Sequence, residues 1–244
     1  MPFYADLSEV YDALFPVSDA QRELFDWISA TGAIRRVADA GCGSGAQLLH
    51  FASSGITCTG FDPDPALVEL AREKLAPFPG ARVEVGGFAE TTRLVSPAAD
   101  LLLCLGNSLV HVPQEAAARF VADGASVLSP GGSMLLQILN YERLFRDGIT
   151  ELPLMAAGEG SIEFRRRYFW EGRRAVRFQT SLRIAGADGP RILRNDIPLY
   201  PIYPEELWEM LSGAGFSTIR YFGDFARSEF TLESEALVCL ARKS

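Results

Sequence analysis

Residues 37–45 read Val-Ala-Asp-Ala-Gly-Cys-Gly-Ser-Gly and constrain the fold more than any other stretch of the chain. A short apolar run containing Asp39 leads into three glycines at alternate positions, and residues 46–51 then show the apolar spacing of a helix. Glycines in such a turn adopt backbone angles that other residues avoid, and they let a ligand lie against the main chain at the helix N-terminus. The sequence therefore predicts a strand, a ligand-binding turn and a helix.

The spacing of the glycines narrows the choice of ligand. A dinucleotide fingerprint would have its third glycine at position 48, where this chain has Leu48, so a pyrophosphate is disfavoured. The next apolar run ends at Asp62, where a carboxylate can accept hydrogen bonds from both hydroxyls of a ribose. The alternative is that Asp62 only caps the helix that begins near Pro65. Together with the glycine turn, Asp62 favours a nucleoside-containing ligand.

The pattern Asp39-x-Gly41-x-Gly43-x-Gly45 resembles the first motif of class I S-adenosylmethionine-dependent methyltransferases. The resemblance implies S-adenosyl-L-methionine as the cofactor, with adenine contacts from the loop after the third predicted strand. Phe88 in that loop is expected to stack on adenine, and the alternative is that it packs into the core. The predicted cofactor-binding residues are Asp39, Gly41, Cys42, Gly43, Gly45, Asp62, Pro63, Gly87, Phe88, Ala89, Leu105 and Ser108.

Residues 104–111, Cys-Leu-Gly-Asn-Ser-Leu-Val-His, continue an apolar fourth strand of the kind that is buried on both faces of a parallel sheet. They resemble the corresponding segment of the glycine N-methyltransferases and glycine/sarcosine methyltransferases. This resemblance implies that Leu105 and Ser108 border the cofactor and that Asn107 faces the substrate. His111 is a candidate proton acceptor, and the alternative is a structural histidine before the next helix.

Further residues are predicted around the site of methyl transfer. Tyr11-Asp12 resembles a Tyr-Asp pair that lies over the methyl donor in many methyltransferases, although a helix that merely covers the sheet would explain it equally well. Tyr200, just before a predicted helix, is expected to form a second wall. The predicted catalytic residues are Asn107, His111, Tyr11, Tyr200 and Arg166.

One departure from the glycine-methylating enzymes concerns the acceptor. Leu139 stands where their Arg-Asn-Tyr motif has the arginine that holds the substrate carboxylate, and an apolar side chain cannot replace a guanidinium. The acceptor then either lacks a carboxylate and presents an apolar part to Leu139, which we favour from sequence, or it meets a relocated cation. Arg166 is that candidate, because the strand period places it on the inward face. An unpaired buried guanidinium is costly, so it would need an anionic partner.

The order of elements predicts an α/β protein with a doubly wound, Rossmann-like methyltransferase fold. We expect about seven strands, mostly parallel with an antiparallel closing strand, in a single domain over residues 1–244. Residues 1–30 are expected to form an N-terminal cap. A β insertion over about 145–200 is expected to form a lid, built on a hairpin of 161–170 and 175–184 with clear alternation.

Composition excludes several classes of function. The net charge of -8 argues against DNA or RNA as partner, since their binding draws on Lys and Arg contacts to phosphate. Neither a signal peptide nor a membrane span is indicated, so a cytoplasmic protein is expected. The four cysteines lack metal-binding spacing and are expected to be buried thiols, and no metal site is predicted.

The sequence therefore predicts a methyltransferase acting on a small-molecule acceptor, with an amine nitrogen favoured. The alternatives are a small-molecule O-methyltransferase and a non-catalytic S-adenosylmethionine-binding protein. The oligomeric state stays open.

Overall fold

A computed structural model describes residues 7–8, 10–186 and 189–243. Residues 1–6 of the predicted N-terminal cap therefore lie outside the described residues. The helices are α1 Tyr11–Leu14, α2 Asp19–Thr31, α3 Ala46–Ser53, α4 Pro65–Leu75, α5 Thr91–Leu94, α6 Gln114–Val127, α7 Tyr141–Arg146 and α8 Pro204–Gly213. The strands are β1 Arg36–Ala40, β2 Thr57–Asp62, β3 Ala81–Val85, β4 Ala99–Cys104, β5 Leu128–Leu139, β6 Met155–Ala157, β7 Ile162–Trp170, β8 Val176–Ile184, β9 Arg191–Leu199, β10 Phe216–Phe222 and β11 Ala236–Lys243.

The main sheet has seven strands in the order β10-β11-β5-β4-β1-β2-β3. Strands β1 to β5 pair in parallel, and β11 runs antiparallel to both β5 and β10. This confirms the predicted doubly wound sheet with an antiparallel closing strand. The strand order reverses beside β1, so the carboxyl ends of β1 and β4 open a crevice at the point where ligands bind in such sheets.

Helices cover both faces of the main sheet because its central strands are apolar on both sides. Leu101, Leu102 and Leu103 of β4 are fully buried and divide between two apolar clusters, one on each face. Residues 129–132 are an irregular part of β5, where Gly131 has a φ of 72° and the pairing with β4 shifts register.

The β insertion forms a second sheet of four antiparallel strands, in the order β6-β7-β8-β9. The predicted hairpin is present as β7 and β8, with Trp170 paired to Val176 next to the turn. Strands β6 and β9 extend it on either side and were not predicted as strands. The sheet is therefore wide enough to present a broad inward face beside the crevice.

No helix in the described ranges is both long and apolar enough to cross a membrane. The four cysteine side chains are free and buried, and burial raises the pKa of the Cys58 thiol to about 12. These thiols therefore stay protonated at neutral pH.

Candidate active site

The glycine turn between β1 and α3 has the predicted geometry. Gly41, Gly43 and Gly45 have φ values of 76°, 52° and 75°, in the region that favours glycine. A Cβ atom at Gly43 would lie 2.7 Å from the hydroxyl oxygen of Tyr11, and one at Gly41 would lie 3.0 Å from Oγ of Ser108. The turn thus needs glycine for space as well as for backbone conformation.

Asp62 lies at the end of β2 and contacts the glycine turn directly. Its Oδ2 accepts a hydrogen bond from the Gly43 N–H at 3.0 Å, and its Oδ1 accepts one from the Asp64 N–H at 2.9 Å. Each oxygen keeps a lone pair for a further donor. The side chain that caps α4 is Asp64, which accepts hydrogen bonds from the N–H groups of Ala66 and Leu67. The capping alternative for Asp62 is therefore wrong.

A cavity lies between the glycine turn and the segment after β4. Asp39 contributes a carboxylate that is only 2% exposed, and burial, with a smaller effect of Asp62, raises the pKa of Asp39 to about 8. Within the part of the chain that the structure describes, no ion pair involves Asp39. The cavity is lined by Tyr11, Asp39, Gly41, Cys42, Gln47, Leu105, Gly106 and Ser108.

Helix α1 lies over the glycine turn. Asp12 accepts hydrogen bonds from the Ser44 hydroxyl and, at 2.6 Å, from Nζ of Lys74 on α4. Lys74 also donates to Ser44 Oγ at 3.1 Å. This set of polar contacts explains how Tyr11 is brought against Gly43. The structure thus places Tyr11 in the cavity lining, while Asp12 is bound to Ser44 of the glycine turn.

Asn107 begins the turn after β4 with a φ of 66°. Its Oδ1 accepts a hydrogen bond from the Leu139 N–H at 3.0 Å, and its Nδ2 donates to the Tyr141 hydroxyl at 2.9 Å. The side chain therefore holds the turn to β5 and α7. A contact to substrate, which stays a prediction, is left to the second hydrogen on Nδ2.

His111 closes the same turn. Its Nδ1 lies 3.1 Å from the carbonyl oxygen of Asn107 and 3.2 Å from that of Ser108. His111 is exposed to solvent, so the desolvation that lowers its pKa is partial, and these two hydrogen bonds offset part of that shift. Tyr200 reaches the same turn through its backbone, because its N–H donates to the Val110 carbonyl at 2.8 Å.

Arg166 is on the inward face of β7, as predicted. Its Nη2 donates to the Pro153 carbonyl at 2.9 Å, while its Nε is buried without a hydrogen-bond partner. Burial lowers the pKa of Arg166. Its neighbours Arg165 and Arg167 point outward and pair with Glu163 and Glu151.

Comparison with known proteins agrees with this geometry. A glycine/sarcosine N-methyltransferase from Aphanothece halophytica is 21% identical over 228 residues, covering 93% of this chain and 83% of that protein. The CcbJ methyltransferase from Streptomyces caelestis shares the fold, with a TM-score of 0.81 at 21% identity over 99% of this chain and 98% of its own. An amino pentose methyltransferase from Micromonospora echinaspora, solved with S-adenosylmethionine bound, shares it at a TM-score of 0.74 and 23% identity over 96% and 97%.

Residues 37–132 match the family model described as "Methyltransferase domain". The chain is a class I S-adenosylmethionine-dependent methyltransferase. The matched region begins in β1 and ends within β5, and so it contains the glycine turn, Asp62 and the turn from Asn107 to His111.

The residues of this methyltransferase fit its cofactor. The glycine turn has no side chains that would keep a ligand from its main chain, and Asp39, once ionised, would offer a buried carboxylate to the positive charges of S-adenosylmethionine. Asp62 would offer its remaining lone pairs to the ribose hydroxyls. Leu105 and Ser108 line the other side of the cavity, where the Ser108 hydroxyl donates to the Leu105 carbonyl at 2.8 Å.

The loop after β3 is closed on itself in this methyltransferase. The N–H of Gly87 donates to Glu90 at 2.8 Å, and the ring of Phe88 packs on that of Phe120 with centroids 4.3 Å apart. Phe88 therefore packs into the core, which was the alternative to stacking on adenine. Stacking on adenine stays a prediction. Ala89 and Pro63 are exposed, and their cofactor contacts also stay predictions.

Sequence reasoning missed three residues of the site. Gln47 lines the cavity two residues after Gly45, a place that the first turn of the motif helix indicates. Gln137 accepts a hydrogen bond from the Gly106 N–H at 2.9 Å, and Tyr141 is fully buried behind Asn107. The Asn-Tyr pair at 140–141 was part of the resemblance and was the available signal for Tyr141.

Proposed function

We propose that this enzyme methylates the amine nitrogen of a small-molecule acceptor. Two of the proteins to which the chain is similar are named as a glycine/sarcosine N-methyltransferase and as an amino pentose methyltransferase. Both names point to amine-bearing small molecules, and the charge of the chain supports the same class. Arg165, Arg167 and Arg177 on the outer face of the second sheet pair with carboxylates, so these three side chains do not offer a free cationic charge to phosphate.

The observation that carries the proposal is the state of His111. Because backbone carbonyls only accept hydrogen bonds, Nδ1 holds the ring proton in its contacts with Asn107 and Ser108. The lowered pKa keeps the ring neutral at pH 7, and Nε2 therefore carries a lone pair. An alkyl ammonium group has to lose a proton before its nitrogen can attack, and His111 is equipped to accept it.

The rest of the chemistry requires positioning more than further reactive groups. When bound, S-adenosylmethionine supplies a methyl group on a positively charged sulfur, which is already activated for transfer. The chain has to hold the amine lone pair toward that methyl group and exclude water. Tyr11 at the glycine turn and Tyr200 beside Val110 would form the walls, and Asn107 would hold the turn that carries His111.

A screen for S-adenosylhomocysteine release tests this function. Small amines are compared with alcohols and phenols of matched carbon skeleton, with product analysis to locate the new methyl group. We expect release with amines and an N-methyl product. An O-methyl product would favour the hydroxyl alternative. Tight S-adenosylmethionine binding without turnover of any acceptor would favour a binding protein and contradict the proposal.

A further inference from the structure

Three polar residues form a row across the inward face of the second sheet. Arg166 on β7 is paired in register with Thr180 on β8, which is paired in turn with Asn195 on β9. Partners in antiparallel register point to the same face of a sheet. Thr180 is only 5% exposed, and Arg166 and Asn195 are half-buried. The row therefore points inward rather than to solvent.

The row lies between two apolar clusters. On one side, Phe164 and Leu182 pack with Leu7 and Leu14 from the N-terminal segment. On the other side, Tyr168, Phe178 and Ile197 pack with the main core. Burying a polar side chain between two apolar clusters lowers the stability of the fold unless its polar atoms form hydrogen bonds.

Two atoms of the row have no such partner. Arg166 Nε and Thr180 Oγ1 are both buried without a hydrogen bond. Arg165, Arg167 and Arg177 each form an ion pair on the outer face. In the described ranges no carboxylate pairs with Arg166, so its charge is compensated only by the Pro153 carbonyl.

We propose that this row binds a carboxylate of the methyl acceptor. The inference rests on the proposed function and adds the chemical class of its substrate. A carboxylate has two oxygens, and the row offers two unused donors on cross-strand neighbours, the Nε–H of Arg166 and the hydroxyl of Thr180. The Asn195 amide lies next in the row. The second route for the acceptor, through a relocated cation, is thus the one that the buried atoms support.

The position of the row also limits the length of the acceptor. Asn107 donates to the Tyr141 hydroxyl, and the Tyr141 and Tyr168 rings lie 6.3 Å apart. Arg166 lies two residues before Tyr168 on the same face of β7, a step of about 6.6 Å between Cα atoms. The Tyr141 and Tyr168 rings therefore lie between the turn of Asn107 and the row. A carboxylate one carbon away from the reacting nitrogen would not reach past these rings, so we expect an amine whose carboxylate is several bonds away from its nitrogen.

Matched pairs of amines test the assignment by calorimetric titration, with and without S-adenosylhomocysteine. The probes are 6-aminohexanoate against hexylamine, and glycine against methylamine. In the wild type we expect 6-aminohexanoate to bind roughly ten- to a hundredfold more tightly than hexylamine, and glycine to gain no such advantage. Arg166→Met and Thr180→Val should each reduce the preference, while Arg165→Met, on the outer face, should leave it unchanged.

Thermal unfolding separates recognition from a structural role. Because the buried Nε of Arg166 has no hydrogen-bond partner, Arg166→Met should unfold at the same temperature as the wild type or higher, while its S-adenosylhomocysteine affinity is unchanged. Equal or undetectable binding of 6-aminohexanoate and hexylamine in the wild type would overturn the assignment. So would a preference that survives in Arg166→Met. Failure of S-adenosylhomocysteine to bind the wild type would instead count against the proposed function, since the carboxylate titrations are also run without it.

Discussion

The two sheets of this methyltransferase handle buried polar groups in opposite ways. At the glycine turn, Asp62 is buried but both of its oxygens accept backbone hydrogen bonds. On the inward face of the second sheet, Arg166 Nε and Thr180 Oγ1 are buried and have no partner. The cofactor side is therefore largely preformed, whereas the acceptor side retains polar atoms that a ligand must satisfy. The preformed glycine turn suits a cofactor that is the same in every reaction cycle. The unsatisfied atoms of Arg166 and Thr180 suit an acceptor that carries matching polar groups.

The largest expected effect separates proton transfer from binding. His111→Gln should lower kcat with an amine acceptor by roughly 100-fold or more near pH 7, the range for loss of a general base. The loss should shrink above about pH 10, where an alkyl amine is already deprotonated. Steady-state kinetics across pH measure this. His50→Gln is the matched control, because His50 lies on α3 and pairs with Asp26 on α2, away from the turn of Asn107 and His111. An unchanged kcat at pH 7 would leave His111 with a structural role.

Asp62 tests how far the cofactor side depends on one carboxylate. Asp62→Ala should weaken S-adenosylmethionine binding by about 2–4 kcal/mol, through lost hydrogen bonds to the ribose and to the Gly43 N–H. Calorimetric titration gives the affinity. Asp64→Ala should cost about 1 kcal/mol of stability as a lost helix cap and leave the affinity alone. Full affinity in a folded Asp62→Ala protein would remove Asp62 from the cofactor site.

Free glycine probes the acceptor side at Leu139. Leu139 is partly buried against the main core and offers no cation, so glycine should be methylated with a kcat/KM at least about tenfold below that of a longer amino acid. A comparison of initial rates for glycine and 6-aminohexanoate measures this. Efficient methylation of glycine would show that its carboxylate is held by another group near the turn.

The glycine turn can be tested with a matched pair of alanine substitutions. Gly43→Ala and Gly55→Ala both place a side chain at positive φ and should each cost about 1–2 kcal/mol of stability. Only Gly43→Ala introduces a Cβ against Tyr11, whereas nothing lies within 4 Å of a Cβ at Gly55. Cofactor affinity should therefore fall only for Gly43→Ala. Equal affinities for the two variants would mean that the turn tolerates a side chain.

The smallest expected effect is a pH dependence from Asp39. Its pKa of about 8 in the free enzyme should fall when the cationic cofactor binds, so binding releases a proton and affinity rises as pH approaches 8. Because Asp39 must ionise for binding, the cofactor affinity at pH 7 should be about tenfold lower than the affinity with Asp39 fully ionised. Titrations in buffers of different ionisation enthalpy detect the proton. Asp39→Asn should bind without that pH dependence, and a wild-type affinity that is flat from pH 6 to 8 would contradict the assignment.

The cofactor side could be predicted from sequence because its constraints are local. Gly43 lies where the backbone has positive φ and there is no room for a Cβ, which requires glycine at that position. Asp62 ends an apolar strand, so the sequence around each residue indicates its place. The period of β7 likewise placed Arg166 correctly on the inward face. The parallel order of the main sheet followed from alternating strands and helices.

Other features depend on partners that are distant in sequence. Tyr141 and Asn107 are 34 residues apart, and the sequence around neither residue predicts their hydrogen bond. Strand β9 has exposed residues at many positions and contains Pro198, so its pattern did not identify a strand. The Thr180 Oγ1 atom lacks a hydrogen-bond partner because of how three strands and two apolar clusters pack around it, and this packing cannot be read from the sequence near Thr180.

Helix α1 contacts both sides of the molecule. Its Asp12 is bound to Ser44 and Lys74 at the glycine turn, and its Leu14 packs with Phe164 and Leu182 of the second sheet. One short helix is therefore shared by the two binding regions. Thermodynamic reciprocity requires any coupling through this helix to be equal in both directions: the factor by which the donor tightens the acceptor equals the factor by which the acceptor tightens the donor.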